Sequence, residues 1–433
     1  MGIAEIRPQG YLPRIIDEQI ERYLKLFGAI EVTGTKWSGK TWAARAHASS
    51  ITYVDKGDNI DIATADPSLM LIGDTPHVID EWQQVPAIWD TVRHTIDDIP
   101  KTKGRWILTG SSTPQKHKVA HSGAGRIGRI RMFPMSLAES GDSTGDVSLS
   151  GLFAGNFAPC KVESDTAHLV DLVCRGGWPE AVALSAEDSQ IIVREYLNSI
   201  YSVSVPQMGK SADIAERLIA SLARTLGQSS TLATLQKDTF GENRSKSEAF
   251  ASEKTISSYL EMLSSLFLIE EVKGWAPPAR SPQRVQLKEK RYFADPSIAV
   301  ATLGMSPESL LNDWQTFGLT FENLCMRDLQ IYAHALIDVS THPVKYYRDD
   351  SGLEVDAIIE KADGSWGAFE IKTSEAKVQS GVDNLIRLKD KLLKSPEKKM
   401  REPSFLGVLV GIGEYARVTT EGVYVIPVRA LGV

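Results

Sequence analysis

The chain has few cysteines, no long apolar run and no excess of positive charge. Its three cysteines, Cys160, Cys174 and Cys325, are far apart and follow neither a disulfide nor a metal-ligand spacing, so we expect a reducing, cytoplasmic environment. There is no uncharged stretch of about eighteen apolar residues and no apolar signal region, so we expect a soluble protein without a membrane partner. The net charge of −7 argues against a surface that is basic throughout, and DNA binding would depend on local patches.

An octapeptide at residues 34–41, GTKWSGKT, matches the phosphate-binding pattern G-x-x-x-x-G-K-[ST]. It lies between a short buried strand predicted at 29–32 and a helix predicted at 41–47. Backbone N–H groups of such a loop converge on phosphate oxygens, while Lys40 would neutralise the β- and γ-phosphates and Thr41 would offer its hydroxyl to Mg²⁺. The residues predicted to contact ATP or ADP are Gly34, Thr35, Lys36, Trp37, Ser38, Gly39, Lys40, Thr41 and Trp42.

A second acidic strand is expected behind such a loop, and residues 77–83, HVIDEWQ, provide it. Asp80 would orient Mg²⁺ and Glu81 would polarise the water that attacks the γ-phosphate, which indicates hydrolysis rather than binding alone. The alternative is an Asp-Glu pair that opens a helix, where acidic side chains favour the positive end of the dipole. A third strand at 105–110 runs into Ser111, whose hydroxyl would lie beside the γ-phosphate.

The segments GTKWSGKT, VIDEWQ and WILTGSS, with the later run from Gly123 to Leu137, resemble bacterial and archaeal AAA-superfamily ATPases that carry a C-terminal domain of unknown function. The resemblance covers nearly the whole chain and implies a parallel αβα P-loop domain. It also implies that Arg126 is an arginine finger supplied to a neighbouring subunit, in a homo-oligomeric ring that we expect to be a hexamer. Arg129 and Arg131 are alternative fingers, and a basic surface strand is the structural alternative. The chain has Lys36 where this family usually has arginine.

Length and composition favour several domains, since 433 residues with 42% hydrophobic content can bury two or three cores. We predict an AAA-type domain at 1–160, a helical lid and winged-helix domain at 161–290, and an α/β nuclease-like domain at 291–433. Residues 143–159, rich in Gly, Ser and Asp, are expected to form the first linker. Pro179 follows a Gly-Gly-Trp segment and resembles a lid element that closes over adenine; a proline at the first position of a helix is the alternative.

A winged helix-turn-helix is predicted at 213–275, with helices near 215–226, 231–235 and 252–263 and a wing at 268–272. In its third helix Lys254, Ser257, Ser258 and Tyr259 could face DNA, but two glutamates accompany a single lysine, and this balance favours interdomain packing. The basic residues that follow, which could contact phosphates or solvate a linker, are Arg280, Arg284, Lys288, Lys290 and Arg291.

The last quarter of the chain resembles the D…E-x-K core of the PD-(D/E)XK nuclease fold. Period-two geometry places Glu370 and Lys372 on one face of their strand, and a hairpin that pairs Glu360 with Trp366 would set Asp356 opposite Glu370. The resemblance adds Glu322, from a preceding amphipathic helix at 320–331. The carboxylates could hold Mg²⁺, with Lys372 as a catalytic residue that orients or activates the attacking water. Residues 386–402, with seven basic and three acidic side chains, could grip DNA or form a solvated helix.

Together these features predict a cytoplasmic, Mg²⁺-dependent ATPase that forms a ring and acts on DNA, with a C-terminal module that binds or cleaves it. Two alternatives remain at this point. One is a switch-like ATPase in signalling or phage defence whose C-terminal domain is a docking or oligomerisation module. The other is an interaction scaffold, against which Glu81 argues because it favours retained hydrolysis.

Overall fold

The computed structural model describes residues 6–99, 102–112, 123–241, 253–277, 281, 287–394 and 400–433. Ser252, the first residue of the helix predicted near 252–263, and the basic residues Arg280 and Arg284 lie outside these ranges. The chain divides into two compact units, Met1–Pro134 with Leu263–Leu268, and Met135–Met262 with Ile269–Val433. The first division therefore comes after Pro134, earlier in the chain than the predicted boundary at residue 160.

The first unit contains a parallel sheet of five strands in the order β2-β3-β4-β1-β5. Its strands are β1 (Ala29–Gly34), β2 (Ser50–Tyr53), β3 (His77–Asp80), β4 (Trp106–Gly110) and β5 (Ile127–Met132). Its helices are α1 (Ile16–Leu26), α2 (Lys40–Ala46), α3 (Asn59–Ala65) and α4 (Ala87–Asp98), with short 3₁₀ turns at Pro67–Leu71 and Trp82–Gln84. The predicted strand–loop–helix around the octapeptide is confirmed as β1, the loop and α2.

Alternation along the strands gives this sheet two buried faces. In β1, Ile30 and Val32 join a core with Ile16 and Ile20 of α1, whereas Ala29 faces a second core that α4 completes. Successive side chains of a strand point to opposite faces, so a short apolar run buries both. The result is the three-layer αβα arrangement that the sequence predicts.

The second unit has an eight-stranded mixed sheet in the order β7-β15-β16-β14-β13-β12-β11-β9, and two-stranded pairs β8 with β10 and β6 with β17. Its strands are β6 (Val147–Ser148), β7 (Cys160–Lys161), β8 (Ile269–Val272), β9 (Gly274–Trp275), β10 (Lys290–Phe293), β11 (Val339–Arg348), β12 (Glu354–Lys361), β13 (Trp366–Ser374), β14 (Phe405–Ile412), β15 (Tyr415–Val418), β16 (Tyr424–Pro427) and β17 (Leu431–Gly432).

The helices that follow Met135 are α5 (Leu137–Ser140), α6 (Leu149–Ala154), α7 (Thr166–Arg175), α8 (Ala186–Ser199), α9 (Val205–Gln207), α10 (Ala212–Arg224), α11 (Leu232–Phe240), α12 (Glu253–Ser265), α13 (Pro296–Thr302), α14 (Pro307–Leu311), α15 (Trp314–Ala335) and α16 (Val378–Leu393). A π-helical turn, Ile200–Ser204, joins α8 to α9. The last residues of α12 belong to the first unit.

The predicted linker at 143–159 is wrong as an irregular loop. It contains β6 and α6, and Ser148 caps α6 by accepting a hydrogen bond from the Gly151 N–H. Gly155 ends the helix in the left-handed conformation, which glycine adopts without a steric penalty. The small polar residues that suggested a loop are therefore the caps of a short helix, a role they share with turns.

Helices α10, α11 and α12 and strand β8 occupy the segment predicted as a winged helix-turn-helix, and β8 pairs antiparallel with β10, which lies beyond that segment. One predicted DNA-facing residue is wrong, because Tyr259 is only 4% exposed and its hydroxyl accepts from the Ser211 N–H at 2.8 Å. Ser258 is half-buried, and its hydroxyl accepts from Lys210 Nζ at 2.8 Å. Of the four, Lys254 is fully at the surface.

The helix around Glu322 is longer and more buried than predicted. Helix α15 has 22 residues, and every residue from Asn323 to Ala333 is buried, including Arg327 and Asp328. Arg327 pairs with Asp295 at 2.8 Å and with Asp328 at 2.8 Å, which satisfies these charges inside the fold. A helix apolar over most of its circumference is a core helix rather than an amphipathic surface helix.

Candidate functional site

The carboxyl edge of the first sheet collects the predicted nucleotide-site residues. Strands β1, β3 and β4 are parallel, with Thr33 opposite Gly110 and Asp80 opposite Thr109. The loops that follow these strands therefore leave from the same edge, which is where ligands bind in open α/β sheets. This register brings the octapeptide, the Asp80-Glu81 pair and Ser111 together.

The two glycines of the octapeptide are required by its backbone path. A Cβ on Gly34, which has φ 153°, would lie 2.0 Å from the Met132 carbonyl oxygen, so a side chain would force the neighbouring strand away. Gly39 has φ 94° and begins α2. These positions let the loop turn tightly in front of the helix, as a phosphate-binding loop must.

Lys40 is buried inside the loop that it is predicted to serve. Its ammonium donates to the Thr35 carbonyl at 2.7 Å. Burial lowers the pKa of Lys40 from 10.5 to about 8, against the opposing charges of Glu81 and Asp80. The loop is thus closed on its own lysine, and a phosphate would have to replace the Thr35 carbonyl as partner.

Arg14 is a site residue that sequence reasoning missed. It is buried, and its guanidinium donates to the Ser38 carbonyl at 2.9 Å and to the Phe133 carbonyl at 2.8 Å. It therefore ties the loop to the end of β5. A single arginine ahead of α1 carries no pattern that would have identified it.

Asp80 accepts hydrogen bonds from two hydroxyl groups, one on helix α2 and one on strand β4. Thr41 donates to Asp80 Oδ1 at 2.9 Å, and Thr109 of β4 donates to the same oxygen. Burial raises the pKa of the Asp80 carboxyl, while the two hydroxyl hydrogen bonds oppose that rise. The predicted magnesium pair of Thr41 and Asp80 is therefore in direct contact, and Thr109 is a further partner that the sequence did not reveal.

Glu81 is held in an unusual backbone conformation at the end of β3. Its φ of 55° is left-handed, a conformation that non-glycine residues adopt at a cost and that often marks functional positions. Ser111 donates to Glu81 Oε2 at 3.2 Å, and Gln83 donates to the same oxygen. Burial raises the pKa of Glu81, and Lys40 opposes that rise. The predicted catalytic carboxylate and γ-phosphate sensor are thus neighbours.

The three candidate arginine fingers occupy different places on β5. Arg126 precedes the strand at the edge opposite the octapeptide, because β5 pairs Ile127 with Ala29 and Met132 with Gly34. Six residues of strand separate these edges by roughly 20 Å. Arg126 is 47% exposed and pairs with Asp97 at 2.8 Å. It does not reach its own nucleotide site, and action on a neighbouring subunit stays a prediction.

Arg129 and Arg131 have partners within the first unit. Arg129 pairs with Glu31 at 3.1 Å. Arg131 lies 4.0 Å from the ring centroid of Phe267, and its charge reaches Lys40, where it favours deprotonation. Of the three arginines, Arg131 is the one whose position affects the phosphate-binding lysine of the same chain.

The remaining predicted nucleotide contacts have mixed outcomes. Trp37 and Trp42 are 41% and 43% exposed, which is unusual for tryptophan and leaves both rings open to a ligand. Pro179 belongs to the second unit and lies in a turn, in which Trp178 O accepts from Ala181 and Val182. It is not the first residue of a helix, so that alternative is wrong, and its lid role stays a prediction.

The second constellation lies in the second unit, on β12 and β13. Glu360 pairs with Trp366 and Ala357 with Phe369, the register that the sequence predicts for placing Asp356 opposite Glu370. Asp356 accepts from the Ile371 N–H at 2.8 Å, and Lys372 forms an ion pair with Glu370. These side chains share one face of the sheet.

Helix α16 closes over this pair because Gly381 has no side chain. A Cβ there would lie 3.2 Å from Lys372 Cε and 3.3 Å from Glu370 Cβ, tighter than ordinary contact. Asn384, one turn further along, donates to Glu370 Oε1 at 3.5 Å. Two lysines of the predicted basic segment form ion pairs, Lys391 with Asp349 at 2.6 Å and Lys389 with Glu402 at 2.9 Å, whereas residues 395–399 of that segment lie outside the described ranges.

Glu322 joins the cluster from α15. The Tyr292 hydroxyl donates to Glu322 Oε1 at 2.6 Å, and Lys290 lies 3.7 Å from the same oxygen. Burial, with the charge of Asp356, raises the pKa of Glu322 to about 7 and that of Glu370 to about 8. Burial and the neighbouring negative charge therefore both oppose ionisation of Glu322 and Glu370. The sequence missed Lys290 as a member, placing it in a basic linker.

The residues of this cluster do not fit the predicted Mg²⁺ site. In the described ranges, no three His, Cys, Asp or Glu side chains are arranged so that they could hold one metal ion. Ammonium groups of Lys290 and Lys372 lie against the carboxylates instead. The metal-ligand roles of Glu322, Asp356 and Glu370 thus lack support from this geometry.

The family model of the AAA domain matches residues 27–141, which are the residues that build the first site. Residues 27–141 form an AAA-type ATPase domain. Residues 166–309 match a domain of unknown function, DUF8612, and residues 317–431 match another, DUF4143. The AAA domain thus contains the octapeptide, Asp80, Glu81, Ser111 and the three candidate arginines.

Relatives and solved structures resemble larger parts of the chain. Uncharacterized proteins of Mycobacterium bovis and Mycobacterium tuberculosis are each 24% identical over 363 residues, which cover 82% of this chain and 72% of theirs. A Walker-type ATPase of Pyrococcus abyssi is 12% identical with a TM-score of 0.41, covering 70% of this chain and 99% of that one. Among the described helices, none is both long and apolar enough to cross a membrane.

Proposed function

We propose that the AAA domain hydrolyses ATP at the carboxyl edge of its sheet. The observation that carries the proposal is the contact of Thr41 with Asp80, which joins the phosphate-binding loop to the strand that presents Glu81. A hydroxyl and a carboxylate are the hard oxygen donors that Mg²⁺ prefers, so this pair fits the ion. When bound, Mg²⁺ would neutralise charge on the phosphates.

Three side chains at the carboxyl edge of the sheet would have different roles in hydrolysis. Lys40 would leave the Thr35 carbonyl and bind the phosphates, where its positive charge opposes theirs. Glu81 would orient the attacking water and accept its proton, since burial raises its pKa toward the operating range of a base. Ser111, which already donates to Glu81, would donate to the γ-phosphate and report its presence.

Two substitutions separate these roles. Lys40→Ala should lose nucleotide binding, whereas Glu81→Gln should bind ATP with nearly unchanged affinity and turn over at least about a hundredfold more slowly. Equilibrium binding of fluorescent ATP and steady-state phosphate release measure the two quantities. Equal loss of affinity in both variants would contradict the assignment.

We further propose three domains, at 1–160, 161–290 and 291–433. The order of the matched segments, 27–141, 166–309 and 317–431, supports this division. Helices α10, α11 and α12, followed by strand β8, support a winged-helix middle domain. The parallel pair of β13 and β14 next to the β12–β13 hairpin supports a PD-(D/E)XK-like C-terminal domain.

In this proposal the chain assembles into a homo-oligomeric ring, with a hexamer as the expected form, and acts on DNA. The exposed position of Arg126, away from its own nucleotide, supports a role across a subunit interface. Size-exclusion chromatography with light scattering, with and without ATP, tests the ring. ATP turnover with and without duplex, branched and single-stranded DNA tests the partner, and unchanged turnover with all three would count against DNA as the partner.

The carboxylate cluster favours one alternative within this scheme. Because lysines rather than metal-ready groups accompany the acids, the C-terminal domain suits a docking or oligomerisation module of a switch-like ATPase. Such an ATPase would hydrolyse slowly and without stimulation by DNA. Mg²⁺- or Mn²⁺-dependent nicking that Asp356→Ala abolishes would refute this alternative.

A further inference from the structure

Lys290 lies buried among the acids of the second unit. Its residue is 5% exposed, its Nζ lies 2.6 Å from Glu354 Oε1 and 3.7 Å from Glu322 Oε1, and the ring centroid of Tyr346 is 5.4 Å away. An ammonium out of water is costly unless it is paired and hydrogen-bonded. The position of Lys290 therefore depends on these carboxylates, as theirs depends on it.

Every acid of the cluster has a donor supplied by the protein. Glu370 receives Lys372 and Asn384, and Asp356 receives the backbone N–H of Ile371. Glu322 receives the Tyr292 hydroxyl at 2.6 Å in addition to Lys290. Glu354, the most exposed acid of the set, also lies 3.8 Å from Arg348. A divalent ion would have to displace these donors to reach its ligands.

We propose that Lys290 and Lys372 are the resident cations of the cleft formed by Glu322, Glu354, Asp356 and Glu370. In that cleft they take the place of a divalent metal ion. Lys290 balances Glu322 and Glu354 on one side, and Lys372 balances Glu370 on the other. An ammonium group neither ligates water nor acts as a Lewis acid, so the cleft binds or supports structure rather than cuts.

This inference rests on the proposed nuclease-like domain, which identifies the cleft. It does not depend on the proposed ATP hydrolysis. Lys290→Met removes the cation while keeping the aliphatic stem. Lys345→Met is the matched control, because Lys345 is a partly buried lysine on β11 of the eight-stranded sheet that pairs with Glu360 at 3.1 Å, outside the cluster. Thermal midpoints of nucleotide-free protein are measured in EDTA and during titration with MgCl₂ or MnCl₂.

The wild type is expected to show no change of midpoint with either ion. Lys290→Met should melt at least about 5 °C lower in EDTA and recover part of that loss with divalent ions, which then replace the missing charge. The thermal midpoint of Lys345→Met should fall less and should not change when divalent ions are added. A saturable stabilisation of the wild type that Asp356→Asn removes would overturn the proposal, as would a Lys290→Met midpoint no lower than that of the control.

A second variant covers the case in which Lys290→Met does not fold. Adding Glu322→Gln removes one carboxylate together with the cation and should restore folding, because the balance of charge returns. A double variant no more soluble than the single one would contradict the proposed balance. The ATP turnover of these variants reports the state of the other unit, so a failure of the ATPase proposal is recognised separately.

Discussion

The closed state of the phosphate-binding loop predicts that nucleotide binding takes up a proton above neutral pH. Lys40 is buried against the Thr35 carbonyl, and burial lowers its pKa from 10.5 to about 8. Bound phosphates would raise that pKa again, because a nearby negative charge favours the ammonium form. A group whose pKa is higher in the complex contributes full affinity below its free pKa and loses it as pH rises through that value.

The size of the effect follows from the pKa of Lys40 in the free protein, about 8, and from the return of that pKa toward 10.5 when phosphates bind. At about pH 7, 8 and 9, the free protein should take up about 0.1, 0.5 and 0.9 proton per nucleotide, and the dissociation constant should weaken about tenfold from pH 7 to pH 9. Titration calorimetry with ADP and Mg²⁺, in two buffers of different ionisation enthalpy, measures proton uptake directly.

Two variants separate Lys40 from its neighbours. Lys40→Arg keeps its charge throughout this range, so binding should proceed without proton uptake. Glu81→Gln should retain the uptake, because its carboxylate is not the group that gains the proton. Proton uptake of equal size in wild type and Lys40→Arg would show that Lys40 is not the group that takes up the proton. The absence of uptake in the wild type near pH 8 would show the same.

The other predictions concern Asp80 and the arginines of β5. Thr109→Val removes a buried hydroxyl donor to Asp80 and should lower the free energy of unfolding by about 1–2 kcal/mol, as measured by denaturant titration. It should also weaken Mg²⁺-dependent nucleotide binding in a binding assay. Thr33→Val, which loses a 3.3 Å hydrogen bond to a backbone carbonyl, is the control and should not show the Mg²⁺ effect. Arg126→Ala should keep nucleotide affinity, because the Arg126 side chain lies at the edge of the sheet opposite the octapeptide, yet it should lose ATP turnover. Mixing Arg126→Ala with Lys40→Ala should restore part of the activity. A loss of nucleotide affinity, or no recovery in the mixture, would contradict this prediction.

Local patterns predicted the strand, loop and helix that contain the octapeptide. The glycines, Lys40 and Thr41 follow one another in the chain, and their spacing reflects a backbone path that few other sequences satisfy. The Asp356–Glu370 register was also predictable, because strand side chains alternate with a period of two and one assumed pair fixes the rest.

Residues that act through the folded chain escaped prediction. Arg14 and Thr109 contact the site across sequence separations of 24 and 29 residues, and neither belongs to a repeating pattern. Lys290 was read as part of a basic linker, because a charged side chain is rarely buried unless partners distant in sequence receive it. Tyr259 was misplaced for the opposite reason, since its hydroxyl suggested an exposed surface while its ring packs inside.

The central claim is that Glu81 performs chemistry at the nucleotide site. Single-turnover hydrolysis, followed by rapid quenching after ATP and Mg²⁺ are bound to excess protein, isolates that step from binding and product release. We expect cleavage in the wild type and a rate at least about a hundredfold lower in Glu81→Gln with equal ATP occupancy. Equal single-turnover rates in the two proteins would contradict it.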